Sequence, residues 1–93
     1  MPLYWVGYDL DKPGQDYTDL IRRLQQLGAK RILKSDWLLP SNNLNAEQIR
    51  TELQKYLDAN DRILVSEQKN HAAWQHLMLS DADVKKLYSD YAT

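Results

Sequence analysis

The stretch AKRILKSDWLLP, residues 29–40, decides the fold. Two short runs rich in branched and aromatic side chains, AKRIL (29–33) and WLLP (37–40), flank KSD. Runs of this kind bounded by polar residues read as strands. So short a connection returns the chain on itself as an antiparallel hairpin. Pro40 suits the end of the second strand, because proline has no N–H to give to a ladder. What flanks the hairpin then sets the architecture. Upstream, Tyr17, Leu20, Ile21, Leu24 and Leu27 recur at i, i+3, i+4 and i+7, the stripe of a half-buried helix. Asp16 can cap its start and Gly28 can stop it. Downstream, Asn45 with Gln48 matches a capping box and opens a second helix, whose stripe is Ile49, Leu53, Tyr56 and Leu57.

Working further out, LYWVGY (3–8) reads as a strand with Tyr4, Val6 and Tyr8 on one face and Leu3, Trp5 and Gly7 on the other. Both faces look covered, which predicts a central strand. A glycine at position 7 marks a close approach to the backbone. DAND (58–61) ends the second helix and RILVSE (62–67) is a further strand. The order β-α-β-β-α-β, with both helices on one sheet face, predicts an α+β, ferredoxin-like domain over residues 1–67. Its four-stranded antiparallel sheet is expected in the order 4-1-3-2. Residues 68–93 form a C-terminal appendix. QKNHAAWQHLML (68–79) follows neither period. Ser80 with Asp83 then opens a short helix carrying Val84, Leu87, Tyr88 and Tyr91. A helix this short is marginal alone, so the appendix must dock on its own domain or on a partner.

The chain has 93 residues, a net charge of −1 and 43% hydrophobic residues, which suits one soluble globular domain. Cysteine is absent, so no disulfide or thiolate metal site supports the core, and a reducing cytoplasm is expected. No apolar run reaches membrane-spanning length. MPLYWVGYD lacks the basic start of a signal peptide. Phenylalanine is missing, whereas there are six tyrosines and three tryptophans. Aromatics with a polar tip suit partly wet interfaces. A sheet with helices on one side needs its other face covered, and a two-fold homodimer is the commonest solution. Trp5, Trp37, Trp74 and Leu77 are the candidate contact residues for a second copy or another protein partner.

Two carboxylates, Asp9 and Asp11, follow the first strand. Magnesium takes oxygen ligands, usually one or two carboxylates with water and substrate phosphate. An i, i+2 pair projects together only if the strand runs through Asp11, and Pro13 and Gly14 oppose that. Asp11 therefore reads as a turn former, and Asp9 keeps a metal reading only with a second carboxylate from a mate. From Leu20 to Ser35 no acid occurs, while Arg22, Arg23, Lys30, Arg31 and Lys34 all fall there. This block is a candidate phosphate footprint for DNA or RNA. The competing reading is complementation of a helix dipole and solvation of an exposed face. His71 and His76 are five apart, not the four that suit a helical metal pair. Trp74, Leu77 and Leu79 read instead as packing anchors. There is no glycine-rich phosphate loop, cysteine nucleophile or serine triad context.

The succession VGYDL…DYTDLIRRLQQLGAKRILKSDWLLP…AEQIRTELQKYLDANDRILV resembles the small ferredoxin-fold CRISPR adaptation proteins and their VapD-like relatives. It is most similar to short bacterial proteins described as SinR-like. The likeness covers about residues 3–67. It rests on YD (8–9) closing the first strand, LG (27–28) ending the helix, RILKSDW (31–37), AE opening the second helix, and Asp61 before the last strand. Tyr8 matches the family's aromatic before the strand-end Asp, and Arg31 and Trp37 stand where the family often has Arg and Phe. The resemblance implies a nucleic-acid-associated homodimer of mobile-element or defence biology. Its activity would be that of a metal-dependent endonuclease or endoribonuclease. Asp9 from each subunit would be the catalytic residue and would hold magnesium or manganese. The alternative is a non-enzymatic protein-interaction module. One departure stands out: the loop after the first strand tends to be basic in the family, whereas here Asp11, Asp16 and Asp19 accompany only Lys12.

Overall fold

A computed structural model describes residues 2–11 and 17–92. Its elements are β1 (Leu3–Asp9), α1 (Thr18–Gln26), β2 (Lys30–Leu33), β3 (Asp36–Pro40), α2 (Ala46–Gln54), β4 (Arg62–Glu67) and α3 (Asp81–Tyr91). The sheet order is β2-β3-β1-β4, with every pair antiparallel. The expected α+β architecture is therefore present, a four-stranded antiparallel sheet of ferredoxin-like order with a C-terminal helix. The hairpin is tighter than KSD suggested. Leu33 faces Asp36 across it, and Asp36 also faces Gly7 of β1, so the sheet claims Asp36 as strand.

The alternation of β1 divides the apolar residues between two cores. Tyr4 and Val6 meet Trp37 and Leu39 on one face, beneath Leu20 and Leu24 of α1 and Ile49 and Leu53 of α2. These pairs are four apart, so each helix presents a single buried stripe. Gly28 adopts φ +91°, the left-handed turn that lets the Ala29 N–H return to the Leu24 carbonyl. Both halves of the α2 capping box form: Gln48 N–H donates to Asn45 Oδ1 at 2.8 Å, and Asn45 N–H to Gln48 Oε1 at 2.9 Å. Tyr17 holds the N-cap position of α1. The expected cap Asp16 and the turn residues Lys12, Pro13 and Gly14 lie outside the described residues.

Part of the second face of the sheet is covered by the chain itself. Leu3, Ile32 and Leu38 pack against Val84, Tyr88 and Ala92 of the appendix. Burial of each large side chain here is worth about 1.5–3 kcal/mol. Ser80 caps α3 by accepting from Asp83 N–H at 3.2 Å. Between β4 and α3 the backbone is irregular but tied down. Met78 N–H donates to the Ile32 carbonyl on the outer edge of β2 at 2.8 Å. Trp74 stacks on Tyr88 with 6.1 Å between ring centroids and donates to Asp81. Tyr88 Oη donates to Gln68 Oε1 at 3.1 Å.

Burial pushes the Tyr88 phenol above its ordinary value, and Tyr4 shifts the same way through burial and the nearby Glu67. The folded state thus holds these protons more tightly than the unfolded chain. Stability is fully present below the ordinary tyrosine range, near pH ~10, and is lost as pH rises through the folded-state values. Urea midpoints should be flat from neutral to mildly alkaline pH and then fall. Tyr88→Phe should flatten part of that fall. An equally steep decline in Tyr88→Phe would show that α3 docking is not its source.

Candidate functional site

The appendix closes only part of the second face. At the other end of β1, Trp5, Gly7, Asp9, Asp36, Arg62 and Leu64 border an open recess of about 280 Å³. Register puts Gly7 between Asp36 on β3 and Leu64 on β4, and sets Asp9 beside Arg62. The glycine is required by close approach. A Cβ at position 7 would lie 2.6 Å from Asp36 Oδ1. That oxygen reaches over the bare backbone to accept from the Trp5 indole N–H at 2.9 Å. Leu64, across the recess, is 56% exposed.

Asp9 ends β1 and pairs with Arg62 at 3.2 Å, both side chains being more than two-thirds exposed. So wet a pair contributes little stability. Asp11 lies in a bend, with its N–H donating to Asp61 Oδ1 at 2.7 Å. Asp61 also accepts from Asp58 N–H at 2.7 Å and from Tyr17 Oη at 3.1 Å. It therefore fastens the chain on both sides of the loop after β1. In the sequence DAND reads as a helix stop, and Asp61 as part of the family likeness, with no structural role. The overlooked signal was an aspartate three residues after Asp58 and immediately before a strand, a spacing suited to capturing a backbone N–H. Among the described residues, no cluster of three or more His, Asp or Glu side chains could hold a metal. Within one chain Asp9 faces the Arg62 guanidinium and Asp36 on the same recess is taken by the Trp5 indole, a donor set that does not fit a divalent ion.

The basic block is not gathered into one surface. Arg22 pairs with Asp19 at 3.0 Å. Arg23 pairs with Glu52 at 2.8 Å, and Lys55 shares that carboxylate at 2.7 Å. Hydrogen bonds from Lys55 and then Arg23 hold the Glu52 carboxyl below its usual range. Lys30 lies opposite Leu38 on the appendix side, beside Leu79, Asp83 and Lys86. Arg31, one residue on, faces the helix side, where its guanidinium lies 5.2 Å from the Trp37 ring centre and Nε donates to the Lys34 carbonyl at 3.1 Å. Lys34 itself is exposed at the hairpin.

The four candidate contact residues also divide. Trp37 is only 3% exposed, and its indole N–H donates to Tyr8 Oη at 3.1 Å. It belongs to the helix-side core, because odd positions of β3 point there. Trp74 and Leu77 are half-buried against the chain's own sheet. Together with Trp5, Ile32 and Tyr88 they border a cleft of about 170 Å³. Trp5 alone of the four fronts the open recess. His71 and His76 are both exposed. Among the described residues, no helix is long and apolar enough to cross a membrane. No protein-family model matches the chain, and no solved structure matches it significantly.

The crowding at Gly7 is directly measurable. Gly7→Ala should displace Asp36 from Trp5 and cost about 1–3 kcal/mol in urea unfolding. In an Asp36→Ala background the same change should cost clearly less, a coupling that a double-mutant cycle reads. Equal costs in the two backgrounds would show that the approach of Asp36 is not what requires glycine.

Proposed function

We propose that this protein is a non-enzymatic interaction module that works as a homodimer through the uncovered end of its sheet. One observation carries the reading. α3 closes the face over Leu3 and Leu38, while beyond Trp5 the same face ends in an exposed Leu64 beside the Gly7 hollow. Leu64 belongs to β4, which has no strand beyond it among the described residues, and an open edge strand is a template with which another chain can pair. Of the candidate site residues, Asp9 pairs with Arg62 and Arg23 with Glu52. The resemblance to dimeric small ferredoxin-fold proteins supports the same stoichiometry. Sedimentation equilibrium of the purified chain should give twice the chain mass. A monomer at all accessible concentrations sinks the proposal.

A second reading, a nucleic-acid-associated metal-dependent endonuclease, is favoured by the exposed position of Asp9 at a strand end. Asp9 and its counterpart in the mate would hold magnesium or manganese, which supplies water activation and charge neutralisation at a phosphodiester. Lys30 and Lys34, exposed and without an ion pair among the described residues, would be its phosphate contacts. Incubation with RNA and DNA plus either metal, beside Asp9→Ala, tests it. Cleavage abolished by the substitution establishes this reading. Cleavage that survives, or none at all, removes it.

A further inference from the structure

We infer that the homodimer forms by antiparallel pairing of β4 with β4 of a second copy about a two-fold axis at Val65, joining two sheets into one. The inference rests on the dimer reading above and names the surface that reading leaves open. The two edges of the sheet are unequal. The β2 edge is blunted: the strand has four residues, its ladder shifts between Arg31 and Leu33, and Met78 N–H already occupies the Ile32 carbonyl. Lys30 begins it and Lys34 follows it. These are ordinary protections of a sheet edge. β4 is longer, with six residues, pairs regularly with β1, and among the described residues has no strand beyond it.

The register of β1 and β4 shows which groups β4 presents. Gln68 N–H donates to the Leu3 carbonyl at 2.8 Å. Hydrogen-bonded and non-bonded pairs alternate along an antiparallel ladder. Arg62, Leu64 and Ser66 therefore bond to β1, and Tyr8 N–H, bonded to Ser35 on the other side, agrees. The N–H and C=O groups of Ile63, Val65 and Glu67 point outward.

A two-fold axis normal to the sheet pairs residues of like parity, so few registers are open. Centring on Val65 sets Val65 against its counterpart and Ile63 against Glu67 of the partner subunit. Every outward backbone group is then bonded. Just past the two ends of β4, continuing the register brings Asp61, whose carboxylate also holds Asp11, Asp58 and Tyr17, opposite Lys69 of the partner subunit, unlike charges. On the appendix side Leu64 meets Ser66 of the partner subunit directly and the partner's Leu64 diagonally, within the reach of cross-strand pairs. Centring on Leu64 instead leaves Glu67 facing Asp61 of the partner subunit, and like charges directly opposite are destabilising. Charge complementarity thus chooses the Val65 register. The same geometry places the two Asp9 residues about 25 Å apart, from ~3.4 Å per residue and ~4.8 Å between strands. One metal ion could not bridge them.

The chain contains no cysteine, so a cross-link test is clean. Single variants Leu64→Cys and Ser66→Cys, mixed and oxidised, should form the heterodisulfide in preference to either homodisulfide. Leu64→Lys alters only an exposed side chain and enters the interface twice. It should raise the dimer dissociation constant on the order of tenfold or more while leaving the circular dichroism unchanged. Lys69→Glu should weaken the dimer as well. A wild-type dimer that neither cross-links between 64 and 66 nor responds to Leu64→Lys overturns the β4 interface but leaves the dimer standing. A wild-type monomer overturns both.

Discussion

β1 is buried on both faces, and the rest of the molecule depends on that constraint. A strand in this position has no polar side to give to water, so each face needs its own cover. Tyr4 and Val6 recruit α1 and α2; Leu3 recruits α3. This explains why a 93-residue chain carries 26 residues beyond a complete β-α-β-β-α-β unit. Without cysteine or another staple, a domain this small gains its margin from a second apolar layer. The stacking of Trp74 on Tyr88 and the Met78–Ile32 hydrogen bond hold that layer against a sheet it could not otherwise grip with eleven helical residues.

Much of this was legible in the residues. The hairpin, the two helical stripes, the Asn45–Gln48 box and the faces of β1 follow from local periodicity and local hydrogen bonding, which a sequence displays directly. The glycine at position 7 was readable as a close approach, but not its agent: Asp36 stands 29 residues away and is brought there by register alone. The long-range partners of Asp61 are hidden for the same reason. Its bonds to Asp11 and Tyr17 span 50 and 44 residues. Arg62 as the partner of Asp9 depends on the β1–β4 pairing. A run of basic residues suggested one surface, yet neighbouring strand positions point to opposite faces. Lys30 and Arg31 are adjacent in sequence and on different sides of the sheet. Trp37 was named for an interface by residue type, while its position in β3 sends it inward.

The extent of the appendix is set by polarity as much as by length. Eleven residues of α3 span about 16 Å, and the helix lies over Leu3, Ile32 and Leu38, where the face is apolar. One row further along β1 the face changes to Asp36, Gly7 and Leu64, and then to Asp9 and Arg62. An apolar helix laid across those carboxylates would take Asp36 and the Asp9–Arg62 pair out of water, at a desolvation cost exceeding what Leu64 could return. The cover therefore stops where the charges begin, and Leu64 is stranded on the far side of Gly7. A neighbouring strand does not meet that obstacle. In the proposed dimer it would approach in the plane of the sheet, bond to the outward backbone groups of β4, and shelter Leu64 from the side while Asp9, Asp36 and Arg62 keep their access to water.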